Sequence, residues 1–174
     1  MASDDIVAQL LRVEIFQGLT AEQLAVIAAR AERIKFRTGD SITEAGAGAD
    51  GALLIVGGAA EWTADAGTQE RAGEAIEIGS LIGEMAMFID YDYGATIAAS
   101  GAVKCLKLTR ASMHDLMLAD QGLAEALTAK IVQRLTALAG ELQEIDREFA
   151  TAVPAFNFDP PAHATSAAEA AAMH

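Results

Sequence analysis

The stretch "IGSLIGEMAMFIDYDYGATIAAS", residues 78–100, poses the problem that the rest of the chain must answer. Its first half places Gly79 and Gly83 around an apolar turn and opens a short helix at Gly83-Glu84. Backbone N–H groups in the first turn of a helix have no partner inside it, and together with the helix dipole they favour an anion. The second half supplies no positive charge. Between Gly79 and Ser100 there is neither lysine nor arginine, and Asp90 and Asp92 stand where a counter-charge is expected. A frame suited to an anion therefore lacks the cation that would complete it.

Working outward, "IKFRTGDSITEAGAGADGALLIVGGAAEWTADAG" (residues 34–67) breaks into short β-prone runs separated by Gly, Asp and Thr, the pattern of a compact antiparallel sheet. The runs continue through "ATIAA" and "AVKCLKL" to Leu108. Helices flank them. Ser3 caps a first helix running to about Arg12, and Thr20 with Gln23 has the spacing of a capping box. Leu24, Ile27, Ala28 and Ala31 then give the second helix one buried face.

Thr109 caps "RASMHDLMLAD", and a long helix begins after Gln121-Gly122. Its apolar positions include Ile131, Leu135, Leu138, Leu142, Ile145 and Phe149, which step by 4, 3, 4, 3 and 4. Such a heptad seam predicts pairing with a second copy of the chain; the competing arrangement folds the helix back on its own domain. Gly140, in the middle of the seam, weakens the helix by about 1 kcal/mol. The expected organisation is N-terminal helices over 1–33, a β-roll over 34–108, a short helix and a dimerisation helix over 109–150, and a disordered Ala/Pro-rich tail over 151–174. Within that tail, "AFNFDPP" is the one segment with the aromatics to dock on something.

Composition narrows the function. The 174 residues suit one domain, or one domain with an appendage. With 25 acidic against 12 basic side chains the net charge is −13, which repels DNA and anionic membrane surfaces. An acidic N-terminus and the lack of a long apolar run predict a cytoplasmic protein without membrane contact. Cys105, the single cysteine, sits in an alternating run and reads as a core residue. "GAGADG" (46–51) matches a dinucleotide fingerprint, but it precedes a strand-like run instead of a helix and reads as a turn between strands, with left-handed geometry from Asp50 and the glycines. His114, His163 and His174 are too scattered for a metal, and His114 reads as a helix-surface residue. Glu84 has no evident acid or nucleophile beside it, so the chain is not read as an enzyme and no cofactor is expected.

The ordered set "RTGDSITEAGAGADGALLIVGGAAEW", "IEIGSLIGEMAMF", "GATIAA" and "KCLKLTRASMHDLM", followed by the long helix, resembles the cyclic-nucleotide-binding domain of the catabolite-activator and protein-kinase-A regulatory superfamily. The likeness spans about Leu10 to Phe149 and is carried by Gly39-Asp40, Gly46, Gly58, Gly79, Gly83, Glu84, Ala86 and Ala95-Thr96. It implies an α+β, mainly β fold: an antiparallel eight-stranded, jelly-roll-like β-roll flanked by N-terminal helices and a long C-terminal dimerisation helix. The resemblance makes "GEMAM" the phosphate-binding cassette, with Glu84 accepting from a ribose hydroxyl. The implied ligand residues, if retained, are Gly83, Glu84, Met85, Ala86, Tyr93, Ala95 and Thr96.

Two departures qualify this. At the position of the family's phosphate-pairing arginine stands Tyr93, and at the following hydroxyl position stands Gly94. Removing the cationic partner of a buried anion costs about 3–5 kcal/mol, and a carboxylate 4 Å from a phosphate adds repulsion of up to about 4 kcal/mol unless it points outward. The transcription-factor branch also adds a helix-turn-helix domain, whereas only the Pro/Ala tail follows Phe149. The expectation is a homodimeric, non-catalytic regulatory or scaffolding module that does not bind cyclic AMP or cyclic GMP in the usual mode and acts through a protein partner. The alternatives are a sensor of altered ligand specificity and a subunit of a DNA-binding or enzymatic assembly.

Overall fold

The computed structural model describes residues 3–64 and 69–152. The chain divides into two compact units, residues 1–132 and 133–174. Among its described residues the first contains α1 (Ser3–Leu10), α2 (Ala21–Arg30), ten short strands, α3 (Arg110–Ala119) and the start of α4 (Gln121–Ala152). The strands are β1 (Glu32–Phe36), β2 (Ser41–Thr43), β3 (Gly48–Ala49), β4 (Gly51–Gly57), β5 (Ala60–Trp62), β6 (Ala75–Ile76), β7 (Leu81–Ile82), β8 (Tyr91–Asp92), β9 (Ile97–Ala99) and β10 (Val103–Thr109). All of their pairings are antiparallel.

Two four-stranded sheets, in the orders β1-β10-β4-β7 and β2-β9-β5-β6, make the antiparallel roll with flanking helices that was expected. A two-stranded ribbon, β3-β8, is added to them. The apolar run "ALLIV" in β4 is buried on both faces, which is why it does not alternate with polar residues. Leu53 and Ile55 belong with Ile42, Ile97, Val103 and Cys105 to the core of the roll. Ala52 and Leu54 face the other way, with Leu106 and Leu108, into a second core closed by Phe16, Leu24, Ile27, Met113 and Leu127 from the helical segments. Burial pushes the Cys105 thiol up to about 12, in keeping with a packing role.

The helix starts follow the capping chemistry. The Gln23 N–H donates to Thr20 Oγ1 at 3.2 Å, and the Thr20 N–H donates to Gln23 Oε1 at 3.1 Å. The other end of the same carboxamide, Gln23 Nε2, donates to Asp120 Oδ2 at 3.1 Å, while Asp120 Oδ1 accepts from the Leu123 N–H at 3.0 Å. Those bonds, Leu123 first and Gln23 second, hold the Asp120 carboxyl below its usual range. Thr109 caps α3 by accepting from the Ser112 N–H at 3.2 Å.

Several boundaries shift. The first helix ends at Leu10, short of Arg12, and α4 runs through Gly140 to Ala152. Ala31 is the C-terminal cap of α2 and lies outside the helix itself. In "GAGADG" only Gly46 takes a positive φ, +77°, so Asp50, Gly48 and Gly51 do not supply the left-handed geometry expected of them. Gly51 is required for a different reason. A Cβ there would lie 2.3 Å from the Leu108 carbonyl oxygen and 2.7 Å from the Thr109 Cα across the β4–β10 ladder. The side chains of Ser3, Leu138 and Phe149, and the whole "AFNFDPP" segment, lie outside the described residues. Among the described residues no helix is long and apolar enough to cross a membrane.

Because the atoms that a Gly51 methyl would meet are backbone, Gly51→Ala must push β4 and β10 apart. Overpacking of this kind costs about 1–3 kcal/mol and is expected to lower the melting temperature by roughly 3–10 °C, read by circular dichroism.

Candidate functional site

The cassette hangs from β4. Strand β7 pairs Ile82 with Leu53 and Leu81 with Leu54, and the Gly79 N–H donates to the Ile55 carbonyl at 2.7 Å. Gly83 then turns the chain with φ +69° and ψ +38° into a 3₁₀ turn, Glu84–Met87. That is the helix start expected at Gly83-Glu84, in a single short turn. Its first internal bond runs from the Ala86 N–H to the Gly83 carbonyl at 2.9 Å, and Ala86 and Met87 are buried, which anchors it to the core.

Tyr93 comes back onto this turn from β8. Its backbone is fixed on both sides: the Tyr93 N–H donates to the Ala47 carbonyl at 2.9 Å, and the Gly46 N–H donates to the Tyr93 carbonyl at 2.8 Å. Its ring lies over Gly83, where a Cβ would meet Tyr93 Cε1 at 2.7 Å. Its hydroxyl donates to the Gly51 carbonyl at 3.1 Å. Burial raises the Tyr93 pKa above the ordinary tyrosine value, and the negative charge of Asp50 raises it further.

Thr96 is bonded to two neighbouring segments. Its Oγ1 accepts from the Ala45 N–H at 3.0 Å, and its carbonyl accepts from the Thr63 N–H and Oγ1, both at 3.1 Å. The Ala95 carbonyl takes the hydroxyl of Thr43, which is 3% exposed, at 2.9 Å. These bonds lock the start of β9 to its neighbours.

Beside the cassette is a cavity of about 350 Å³. Of the expected site residues it is lined by Gly83, Tyr93 and Ala95; Glu84, Met85, Ala86 and Thr96 are not part of its wall. Trp62, Arg71 and Tyr91 line it as well; Tyr91 was a candidate, beside Tyr93, for stacking on an altered ligand, whereas sequence reasoning missed Trp62 and Arg71. The signal was present: Arg71 is the only basic residue between Arg37 and Lys104, and Trp62 is the only tryptophan. The Arg71 guanidinium carbon lies 4.1 Å from the centroid of the Trp62 ring, a cation–π contact.

The acids once expected to repel an anion here do not face it. Asp90 is fully exposed and ion-paired to Arg110, whose Nη2 also donates to the Ala49 carbonyl at 3.2 Å. Neither Asp90 nor Asp92 lines the cavity. The only positive charge on its described wall comes from outside the cassette, from the β5–β6 connection. His114 is exposed on α3.

Residues 33–120 match the family profile of the cyclic nucleotide-binding domain. The chain belongs to that family. The family is a regulatory one. It is 26% identical to a cyclic nucleotide-binding-like protein from Brucella abortus, with a TM-score of 0.59 over 66% of this chain and 98% of that one. The N-terminal domain of a transcriptional regulator from Streptomyces coelicolor shares the fold at 23% identity and a TM-score of 0.69, over 77% and 94% of the two chains. So does the sensor domain of the transcriptional regulator DNR from Pseudomonas aeruginosa, at 21% identity and a TM-score of 0.59, over 80% and 94%.

The chain has only two tyrosines, so the environment of Tyr93 can be read spectroscopically. Absorbance titration of tyrosinate should show a late ionisation that Tyr93→Phe removes. Because the folded pKa is raised, stability holds below the ordinary tyrosine pKa of about 10 and falls as pH rises through the folded value; Tyr93→Phe should reduce that alkaline loss.

Proposed function

We propose that this cyclic-nucleotide-binding-type domain is a non-catalytic regulatory module that does not hold a cyclic phosphate in the family's usual mode and passes its output to a protein partner. The observation that carries this is the placement of Tyr93 at the family's arginine position. Its ring covers Gly83 at the cassette, and its hydroxyl donates to the Gly51 carbonyl. An anion set on the cassette would meet a phenol that is already engaged, and it would gain no cation from that position. Loss of a buried counter-charge costs about 3–5 kcal/mol, or roughly two to four powers of ten in affinity.

Coupling to a partner is assigned to α4 acting as a dimer helix. Leu135, Leu142 and Ile145 of the heptad seam are 48%, 65% and 48% exposed in the single chain, which supports a second copy as their cover. Ile131 packs against the core of the first unit and starts the seam. With a charge of −13, the partner is a protein and not DNA. A second reading, a sensor with altered ligand specificity, is favoured by the cavity itself, since a 350 Å³ recess lies within the ordinary range for small-ligand sites. A thermal-shift panel of nucleotides and metabolites separates the two, because a ligand at 100 times its dissociation constant adds about 2.7 kcal/mol of stability.

Calorimetry with cyclic AMP and cyclic GMP should give no low-micromolar binding, and such binding would overturn the proposal. The double variant Tyr93→Arg/Gly94→Ser restores the family's residues and should tighten binding by at least about tenfold, the worth of a charge-assisted contact. For the dimer, Leu142→Asp should halve the mass seen by light scattering; an unchanged mass removes α4 as the interface.

A further inference from the structure

The Trp62–Arg71 corner of the cavity supplies what the cassette does not. Glu74 accepts from Arg71 Nε at 2.8 Å and Nη2 at 3.3 Å, a two-point contact that sets the plane of the guanidinium and leaves Nη1 outside the pair. The pair is about half exposed, with the side chains at 50% and 54%, so it orients Arg71 more than it stabilises the fold. Stacking on Trp62 holds the same group from one face.

Around this single cation the wall is aromatic and apolar. The only tryptophan and both tyrosines of the chain, Trp62, Tyr91 and Tyr93, converge on this cavity, with Ile82 and Ile97 completing its apolar wall. No carboxylate is among its described lining residues. One guanidinium, partly neutralised by Glu74, matches one negative charge and is a poor match for a multiply charged phosphate. The volume, near the lower end of small-ligand sites, calls for a compact ligand. Three aromatic side chains offer edges and faces to a flat ring.

We propose that this cavity binds a small aromatic monocarboxylate, with the carboxylate on the Nη1 edge of Arg71 and the ring among Trp62, Tyr91 and Tyr93. The proposal rests on the sensor reading and on Tyr93 excluding the cyclic phosphate. A nucleotide seated on the cassette would compete with the ring for the space beside Gly83. Recognition is thereby moved from the cassette to the β5–β6 connection.

Trp62, as the sole tryptophan, reports on the site directly. Full-length protein, excited selectively at Trp62, is titrated with phenylacetate, with its neutral analogue phenylacetamide, and separately with cyclic AMP. Phenylacetate is expected to give a saturable change in fluorescence. Phenylacetamide, and phenylacetate with Arg71→Gln, should bind at least about tenfold more weakly, as befits loss of a charged hydrogen bond. Arg71 is exposed, so the variant should keep the parent's circular dichroism. No saturable response to phenylacetate, equal response to the amide, or unchanged affinity in Arg71→Gln overturns the carboxylate site. A tight response to cyclic AMP would instead remove the premise about Tyr93. Silence toward phenylacetate and cyclic AMP alike defeats the carboxylate site and leaves the Tyr93 premise standing.

Discussion

The ladder between β4 and β10 is the constraint on which the other parts depend. Both strands send side chains into the core of the roll and into the core under the helices, so neither can slide without disturbing both. At Gly51, opposite Thr109, there is no room for a side chain. The cassette hangs from β4 through β7, and the carbonyl that receives the Tyr93 hydroxyl is that of Gly51 itself. Packing in the centre of the domain thus determines where the site's aromatic ring comes to rest.

The site shows how a fold can be kept while its chemistry changes. The turn geometry at Gly79 and Gly83 is intact because the sheet and the buried Ala86 and Met87 impose it, whatever the ligand. Tyr93 uses that geometry differently: a flat ring fits over Gly83 because the glycine leaves the space open. Charge follows the same logic. Asp90 looked hostile to an anion in one dimension, yet Arg110 at the head of α3 draws it outward, and the cation facing the cavity is contributed by the β5–β6 connection, outside the cassette.

Local patterns were legible where one physical cause dominated. The Thr20–Gln23 capping box, the cap at Thr109, the buried Cys105 and the helix start at Gly83-Glu84 could each be read from a few neighbouring residues. The roll itself was legible through its turns and the doubly buried "ALLIV". What could not be read depended on side chains meeting from far apart. The Arg71–Trp62 stack forms only once β6 has paired back on β5, and the role of Thr96 in holding Ala45 and Thr63 requires three segments to meet. Gly51 was taken for a turn glycine because close approach between strands leaves no local mark.

Gln23 illustrates the economy of such long-range contacts. Its carbonyl oxygen closes the start of α2 and its amide nitrogen reaches the carboxylate that starts α4, so both ends of one planar group are used, across 97 positions of sequence. Capping boxes elsewhere accept glutamate as readily as glutamine. Here glutamate would keep the bond to Thr20 but set two negative oxygens against each other at Asp120. The identity of a residue in the first turn of the second helix is therefore dictated by the beginning of the last one.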